Sequence, residues 1–187
     1  VIFCGIEGDY CEPATSHQIQ QAVGAVNASC YDTSNACHGM INGLMQADAY
    51  VQCGAIETAL ICTGEVPTKL TFDFIRHLSV SKDRKQLKQW LGFFTVGDGG
   101  GAFIVSRAVD GSRVKKYRTV SKCNGEHGVL CYYGYDISQG YFGNMSMQQI
   151  STESLAYHQS EIENTYNQLG WCPADIDFLL ASSPRSQ

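Results

Sequence analysis

"YDTSNACHGMINGLMQADAYVQCGAIETALICTGE", residues 31–65, is the stretch on which the fold turns. "ASCYDTS" closes a β-like run. Residues 37–53 then read as a helix: apolar positions 37, 40, 41, 44, 45 and 51 lie on one face, with Asn42, Gln46 and Gln52 elsewhere. Gly54 ends that helix. "ETALICTGEV" follows as a short buried strand over about 58–64. Strand, helix and strand succeed one another with short joints, and Cys37 stands at the first joint.

The rest of the chain extends this alternation. "VIFCGI" opens at full β-propensity with no lead-in, which suggests part of a larger protein. In "CEPATSHQIQQAVG", Thr15 and Gln18 have capping-box spacing, and the short helix they start stops at Gly24. Residues 72–90 are polar and basic, read as helix and loop. "GDGGGAFIVSR" is a glycine turn running into a strand over about 101–107, and "GSRVKKYRTV" alternates like a further strand. Residues 123–150, rich in Gly, Tyr, Asn and Ser, read as irregular surface structure. "ESLAYHQSEIENTYNQLG" is a helix with Leu155, Ile162, Tyr166 and Leu169 on one face and Gly170 as its stop. "PADIDFLLAS" gives a turn and a buried strand. Strands alternating with helices define an α/β layered class. The ends echo each other, "DFLLASSPRSQ" against "VIFCGIEGDY", as an internal duplication would.

Composition narrows the class. The 187 residues suffice for a sizeable core, and 44% apolar with 17% charged residues describes a globular chain. No apolar run approaches the roughly 20 residues of a membrane helix, and no membrane partner is expected. The nine cysteines show neither paired CxxC knuckles nor a Cys/His metal pattern, so no metal is expected. A reduced, cytoplasmic chain is the better reading of that odd count. Residues 1–75 carry eight acids against Lys69, residues 76–122 eleven Lys/Arg against three acids, and residues 123–187 seven acids against Arg185. A basic block inside an acidic protein points to a local anionic partner and not to general nucleic-acid affinity. The competing reading is a solvated charged helix face.

Cys37 has a specific physical setting. A helix N-terminus presents unpaired N–H groups and the positive end of the macrodipole. Both favour thiolate, the nucleophilic form. The same N–H groups can hold an oxyanion when an acyl carbonyl is attacked. Ala36 and Gly39 are small and leave room for a substrate. The bland alternative is a buried small residue, like Cys53 or Cys62.

These segments resemble the β-ketoacyl-acyl-carrier-protein synthase III family of the thiolase superfamily. Residues 31–65 are similar to its nucleophile segment, with Asp32, the run ending Ala36-Cys37, Gly39 and the strand ending Gly64-Glu65. "FTVGDGGGAFIVS" is similar to its glycine-rich segment, "EPATSHQIQQAVGA" to the stretch upstream of the cysteine, and "NQLGWCPADIDFLLAS" to the stretch before its catalytic histidine. The resemblance implies a thiolase-like layered α/β/α/β/α fold of two similar halves, of which this chain covers part. Residues 1–110 would be the latter part of the N-terminal half, carrying the nucleophile, and residues 111–187 the first part of the C-terminal half. It also implies a homodimer.

The implied chemistry is a condensing acyltransferase. Cys37 takes an acyl group from acyl-CoA as a thioester, and a malonyl thioester on acyl carrier protein attacks it. Acyl-CoA is then a substrate, with no resident cofactor. Lys82, Arg84, Lys85 and Lys88 in the basic block are the candidates for CoA phosphates or an acidic carrier protein. The family's His-Gln motif follows the strand matched by residues 178–181; there this chain reads "SSPRSQ". Arg185 has no acceptor nitrogen and does not take up a proton. The position of the family asparagine falls beyond Gln187. Two alternatives follow: acyl transfer without decarboxylation, in secondary metabolism, or a catalytically silent thiolase-like partner subunit. Among the histidines, His38 neighbours Cys37 but points another way on a helix, His127 in the Gly/Tyr-rich segment is a candidate pocket residue, and none has a spacing that marks it as a base. The glycines 97, 99, 100 and 101 are expected to permit close backbone packing near the thiol.

Overall fold

The computed structural model describes residues 1–6, 8, 10, 12–109 and 125–177, with the side chains of residues 158 and 159 excepted. The described residues fall into two compact units, the first drawn from Val1–Pro67 and Gly97–Thr119, the second from Thr68–Val96 and Val120–Gln187.

In the first unit, four strands form one sheet: β1 (Ile2–Cys4), β2 (Tyr31–Thr33), β3 (Thr58–Glu65) and β4 (Gly99–Ser106), in the order β2-β1-β3-β4. β1 runs parallel to both neighbours, with Ile2 opposite Tyr31 on one side and Ile61 on the other. Parallel neighbours need crossover connections. Helix α1 (Thr15–Val23) links β1 to β2, and helix α2 (Gly39–Gln52) links β2 to β3. β4 pairs antiparallel with β3 along its whole length, from Thr58 opposite Ser106 to Glu65 opposite Gly99.

Helix α2 packs on this sheet through a face different from the one its large apolar residues define. Its buried positions are Gly39, Gly43, Ala47 and Val51, a stripe at i, i+4 spacing. Ile41 is exposed, while Met40 and Leu44 flank the core half-buried. The cause is close approach. A Cβ at Gly43 would stand 2.5 Å from Cys4 Sγ and 2.7 Å from Ile61 Cγ2. Small residues let the helix backbone settle onto β1 and β3, and the larger side chains reach the core from its flanks.

α1 begins at Thr15, without the expected capping box. Its leading N–H groups are satisfied from another element: Thr15 N donates to Asp32 Oδ2 at 2.8 Å and Ser16 N to Asp32 Oδ1 at 2.9 Å. The strand β2 thus caps the helix that precedes it. Gly24 closes α1 in the left-handed conformation, as expected.

The second unit is built on aromatic packing. Helix α3 (Thr68–Ser81) and helix α4 (Arg84–Trp90) supply Leu70, Phe74 and Trp90, joined by Phe93 from the following turn. The Phe74 ring lies 4.3 Å from that of Trp90 and 4.6 Å from that of Phe93, centroid to centroid. Much of residues 123–150 is regular and not the irregular surface expected. β5 (Cys131–Asp136) and β6 (Gly140–Met145) form an antiparallel hairpin. Asp136 holds its turn by accepting from Ser138 N and Gln139 N, and Gly140 takes the positive φ. Trp90 Nε1 donates to Gly143 O at 2.9 Å, tying hairpin to helix.

Helix α5 (Met147–Leu169) is one turn and more longer than the sequence indicates at its start, and Gly170 ends it with φ 66°. Ile162, Tyr166 and Leu169 are half-buried, but Leu155 is exposed. The strands expected in "GSRVKKYRTV" and "DFLLAS" lie outside the described residues. No described helix is long and apolar enough to cross a membrane.

Candidate functional site

Cys37 sits in a 3-10 turn, Ala36–His38, that leads directly into α2. β2 ends at Thr33 and the chain must swing from sheet to helix within a few residues. It does so through Asn35, with φ −153°, and Ala36, with φ 44°. Positive φ is costly for a residue with a Cβ, by about 1–3 kcal/mol, and such strain gathers at functional positions. The turn is held by His38 N donating to Asn35 O at 3.0 Å and Gly39 N to Ala36 O. Asn35 Nδ2 also donates to Asn42 Oδ1 at 2.6 Å, fixing the loop to the first turn of α2. The Cys37 side chain is left exposed.

The other cysteines of this sheet are in the opposite state. Cys4 and Cys62 are buried. Burial, and then the neighbouring Cys62, push the Cys4 thiol up to about 11. Burial likewise raises Cys62. These two thiols stay protonated and act as small hydrophobes. Cys53, read from the sequence as a core residue, is exposed at the C-cap of α2. None of the seven described cysteines is in a disulfide.

The four basic candidates come together on one short segment of the second unit. Lys82 occupies the joint between α3 and α4 with φ 51°, and Arg84, Lys85 and Lys88 lie on α4, all exposed. Asp83 caps α4, accepting from Lys85 N at 2.8 Å and Gln86 N at 3.3 Å. Arg84 and Lys88 are like charges at i, i+4, an arrangement that costs a helix a few tenths of a kcal/mol, about 0.2–0.5. Cys37 belongs to the first unit.

Among Gly97, Gly99, Gly100 and Gly101, only Gly100 is closely approached, a Cβ there standing 3.2 Å from Thr63 O, whereas the other three have open space. His127 does line a cavity, in the second unit. The segment "SSPRSQ" lies outside the described residues. Among the described residues no group of three or more His, Cys, Asp or Glu is placed to hold a metal ion. The sequence reading missed Ala36, because alanine carries no signal of a left-handed backbone. It also missed the small-residue stripe, although 39, 43 and 47 stand at regular spacing.

Solved structures identify the fold. One single-residue variant of Xanthomonas campestris OleA superposes with a TM-score of 0.79 at 21% identity, covering 94% of this chain and 50% of that one. Another variant of the same protein, whose crystals hold lauric acid and lauroyl-CoA, gives 0.76 at 24% identity, over 94% and 52%. The fold is the thiolase-like layered α/β fold, of which this chain covers part. The model of the family described as 3-oxoacyl-(acyl-carrier-protein) synthase III matches residues 31–124, and the chain belongs to that family.

Curated relatives agree. A β-ketoacyl-(acyl-carrier-protein) synthase III of Clostridium botulinum is 25% identical over 195 residues, spanning 100% of this chain and 56% of its own length. An acyl-CoA:acyl-CoA alkyltransferase of Shewanella oneidensis is 27% identical over 142 residues, 72% of this chain and 40% of its own. The chain thus spans about half the length of the relatives it matches.

Proposed function

We propose that this protein is a condensing acyltransferase of the synthase III type and that Cys37 is its acyl-accepting nucleophile. The observation that carries the reading is the contrast among thiols. Cys37 stands exposed in the turn that enters α2, directly after the positive-φ Ala36, while Cys4 beneath that helix and Cys62 on β3 are buried. The Cys37 sulfur attacks the carbonyl carbon of acyl-CoA. The oxyanion that forms faces the helix N-terminus, where N–H groups and the macrodipole favour negative charge. The carbon–sulfur bond to CoA breaks, CoA leaves as the thiol, and the acyl group remains as a thioester. A malonyl-ACP-type acceptor then loses its carboxylate as carbon dioxide, and its α-carbon bonds to the acyl carbon. The carbon–sulfur bond to Cys37 breaks, leaving the condensed product on the carrier and the Cys37 thiolate to take a proton from water.

Lys82, Arg84, Lys85 and Lys88 are the proposed contacts for CoA phosphates or an acidic carrier protein. No cofactor enters this chemistry. The protein works as a homodimer in the cytoplasm, with residues 1–110 in the first thiolase-like half and 111–187 in the second. The test is turnover with an acyl-CoA and a malonyl thioester, following carbon dioxide and condensed product together. Both are expected, and both are lost in Cys37→Ala. Acyl transfer without carbon dioxide would overturn the decarboxylating step. Undiminished product from Cys37→Ala would overturn the nucleophile.

A further inference from the structure

The turn that presents Cys37 has a capping residue that does not cap. Asparagine is among the preferred N-cap residues, because its side-chain oxygen accepts from the N–H groups two and three positions on. Asn35 stands at that place before the 3-10 turn Ala36–His38, so those two groups belong to Cys37 and His38. The Asn35 side chain caps neither. Its carboxamide donates through Nδ2 to Asn42 Oδ1 at 2.6 Å instead, reaching over the turn to α2. The His38 N–H is taken by Asn35 O at 3.0 Å. The His38 side chain, next in line to cap α2, makes no cap bond either. The start of the helix is thus left without a side-chain cap at the residue whose thiol is exposed.

We propose that Asn42 is a positioning residue for the acylation of Cys37: it holds the Asn35 carboxamide away from the helix start and keeps the Cys37 N–H open to the oxyanion. The inference rests on the reading of Cys37 as the acyl-accepting nucleophile. Neither asparagine bonds to the substrate. With the Asn42 carboxamide removed, that of Asn35 turns to cap the N–H groups beside the thiol. The oxyanion formed at the acyl carbon must then displace this cap. The slowing equals the worth of a cap, a factor of about 2–30. Stability does not fall with the rate, because the new cap offsets the lost bond between the asparagines. A side chain that only braced the turn would lower both together.

The experiment uses the full chain in single-turnover acylation, with acetyl-CoA or lauroyl-CoA, whichever loads the wild type faster, and maps the adduct to Cys37. Asn42→Ala should slow acylation at saturating donor by about 2–30-fold, with the half-saturating donor concentration and the denaturant midpoint kept. Adding Asn35→Ala removes the competing cap and should restore the rate to within about two-fold of wild type. Asn35→Ala alone should match wild type. An unchanged rate in Asn42→Ala, a double variant as slow as Asn42→Ala, or Asn35→Ala slowed as much as Asn42→Ala would each overturn the proposal. Should Asn42→Ala fail to fold, Asn42→Leu takes its place, with a similar shape and no acceptor for Asn35. The two readings separate. A wild type acylated at Cys37 whose variants all react alike ends this inference only. A wild type left unmodified at Cys37 ends the nucleophile assignment, and this inference with it.

Discussion

Cys37 owes its position to its neighbour. Ala36 turns the backbone through a left-handed φ of 44°, and the thiol is carried on that turn. Ala36→Gly should keep acylation and leave stability unchanged or up to about 1 kcal/mol higher, since glycine takes this conformation freely. Ala36→Val should cost about 1–3 kcal/mol by denaturant midpoint, because a β-branched side chain opposes it. Equal midpoints for the two variants would remove the strain from the account. The buried thiols make a second comparison. Cys4, pushed up to about 11 by burial, should resist iodoacetamide in the native protein while Cys37 reacts. Its raised value also has a pH consequence. The folded state keeps a proton that the unfolded state releases, so this contribution is whole below the ordinary thiol value of 9.0 and is lost as pH rises toward about 11. Cys4→Ala should flatten that part of the alkaline stability curve.

At the scale of elements, α2 and α1 show where sequence patterning reaches its limit. The helix over 37–53, the strand after it and the stop at Gly54 were legible, because apolar spacing and glycine placement are local signals. The buried face was not, because apolar counting weights large residues and this interface selects small ones. Gly43→Val should destabilise by about 1–3 kcal/mol through overpacking against Cys4 and Ile61. The cap of α1 was illegible for another reason: Asp32 lies 17 residues from Thr15 in sequence and meets it only in the folded sheet. Burial raises Asp32, but hydrogen bonds from Ser16 and Thr15 outweigh it, and the carboxyl ends below its ordinary value. A depressed folded value stabilises fully above the unfolded value of about 3.9 and is lost as pH falls through the folded one. Asp32→Asn should therefore weaken the acid limb of the stability curve. At neutral pH it should cost about 0.5–1 kcal/mol, the lower part of the capping range for an exposed carboxylate.

For the molecule as a whole, charge is distributed by segment. The basic residues of α4 and its lead-in sit in a chain of formal charge −5. Lys82, Arg84, Lys85 and Lys88 changed together to Glu should raise the KM for acyl-CoA at low salt. Added salt should narrow the gap from wild type, as screening requires. An unchanged KM at low salt would leave these residues as a solvated helix face. The α/β class was legible from the alternation of segments around Cys37, since each is a local pattern, and the thiolase-like fold from their resemblance to the synthase III family. The hairpin β5–β6 was not, because its Gly- and Tyr-rich strands lack simple alternation and are held by contacts such as Trp90 to Gly143.

The most direct measurement is a single-turnover intact mass of the full chain with a panel of acyl-CoAs, wild type beside Cys37→Ala, with each adduct mapped to its residue. One acyl mass on Cys37, absent from the variant at that position, is the predicted result. A folded wild type that leaves Cys37 unmodified by every donor would contradict its assignment as the acyl-accepting nucleophile.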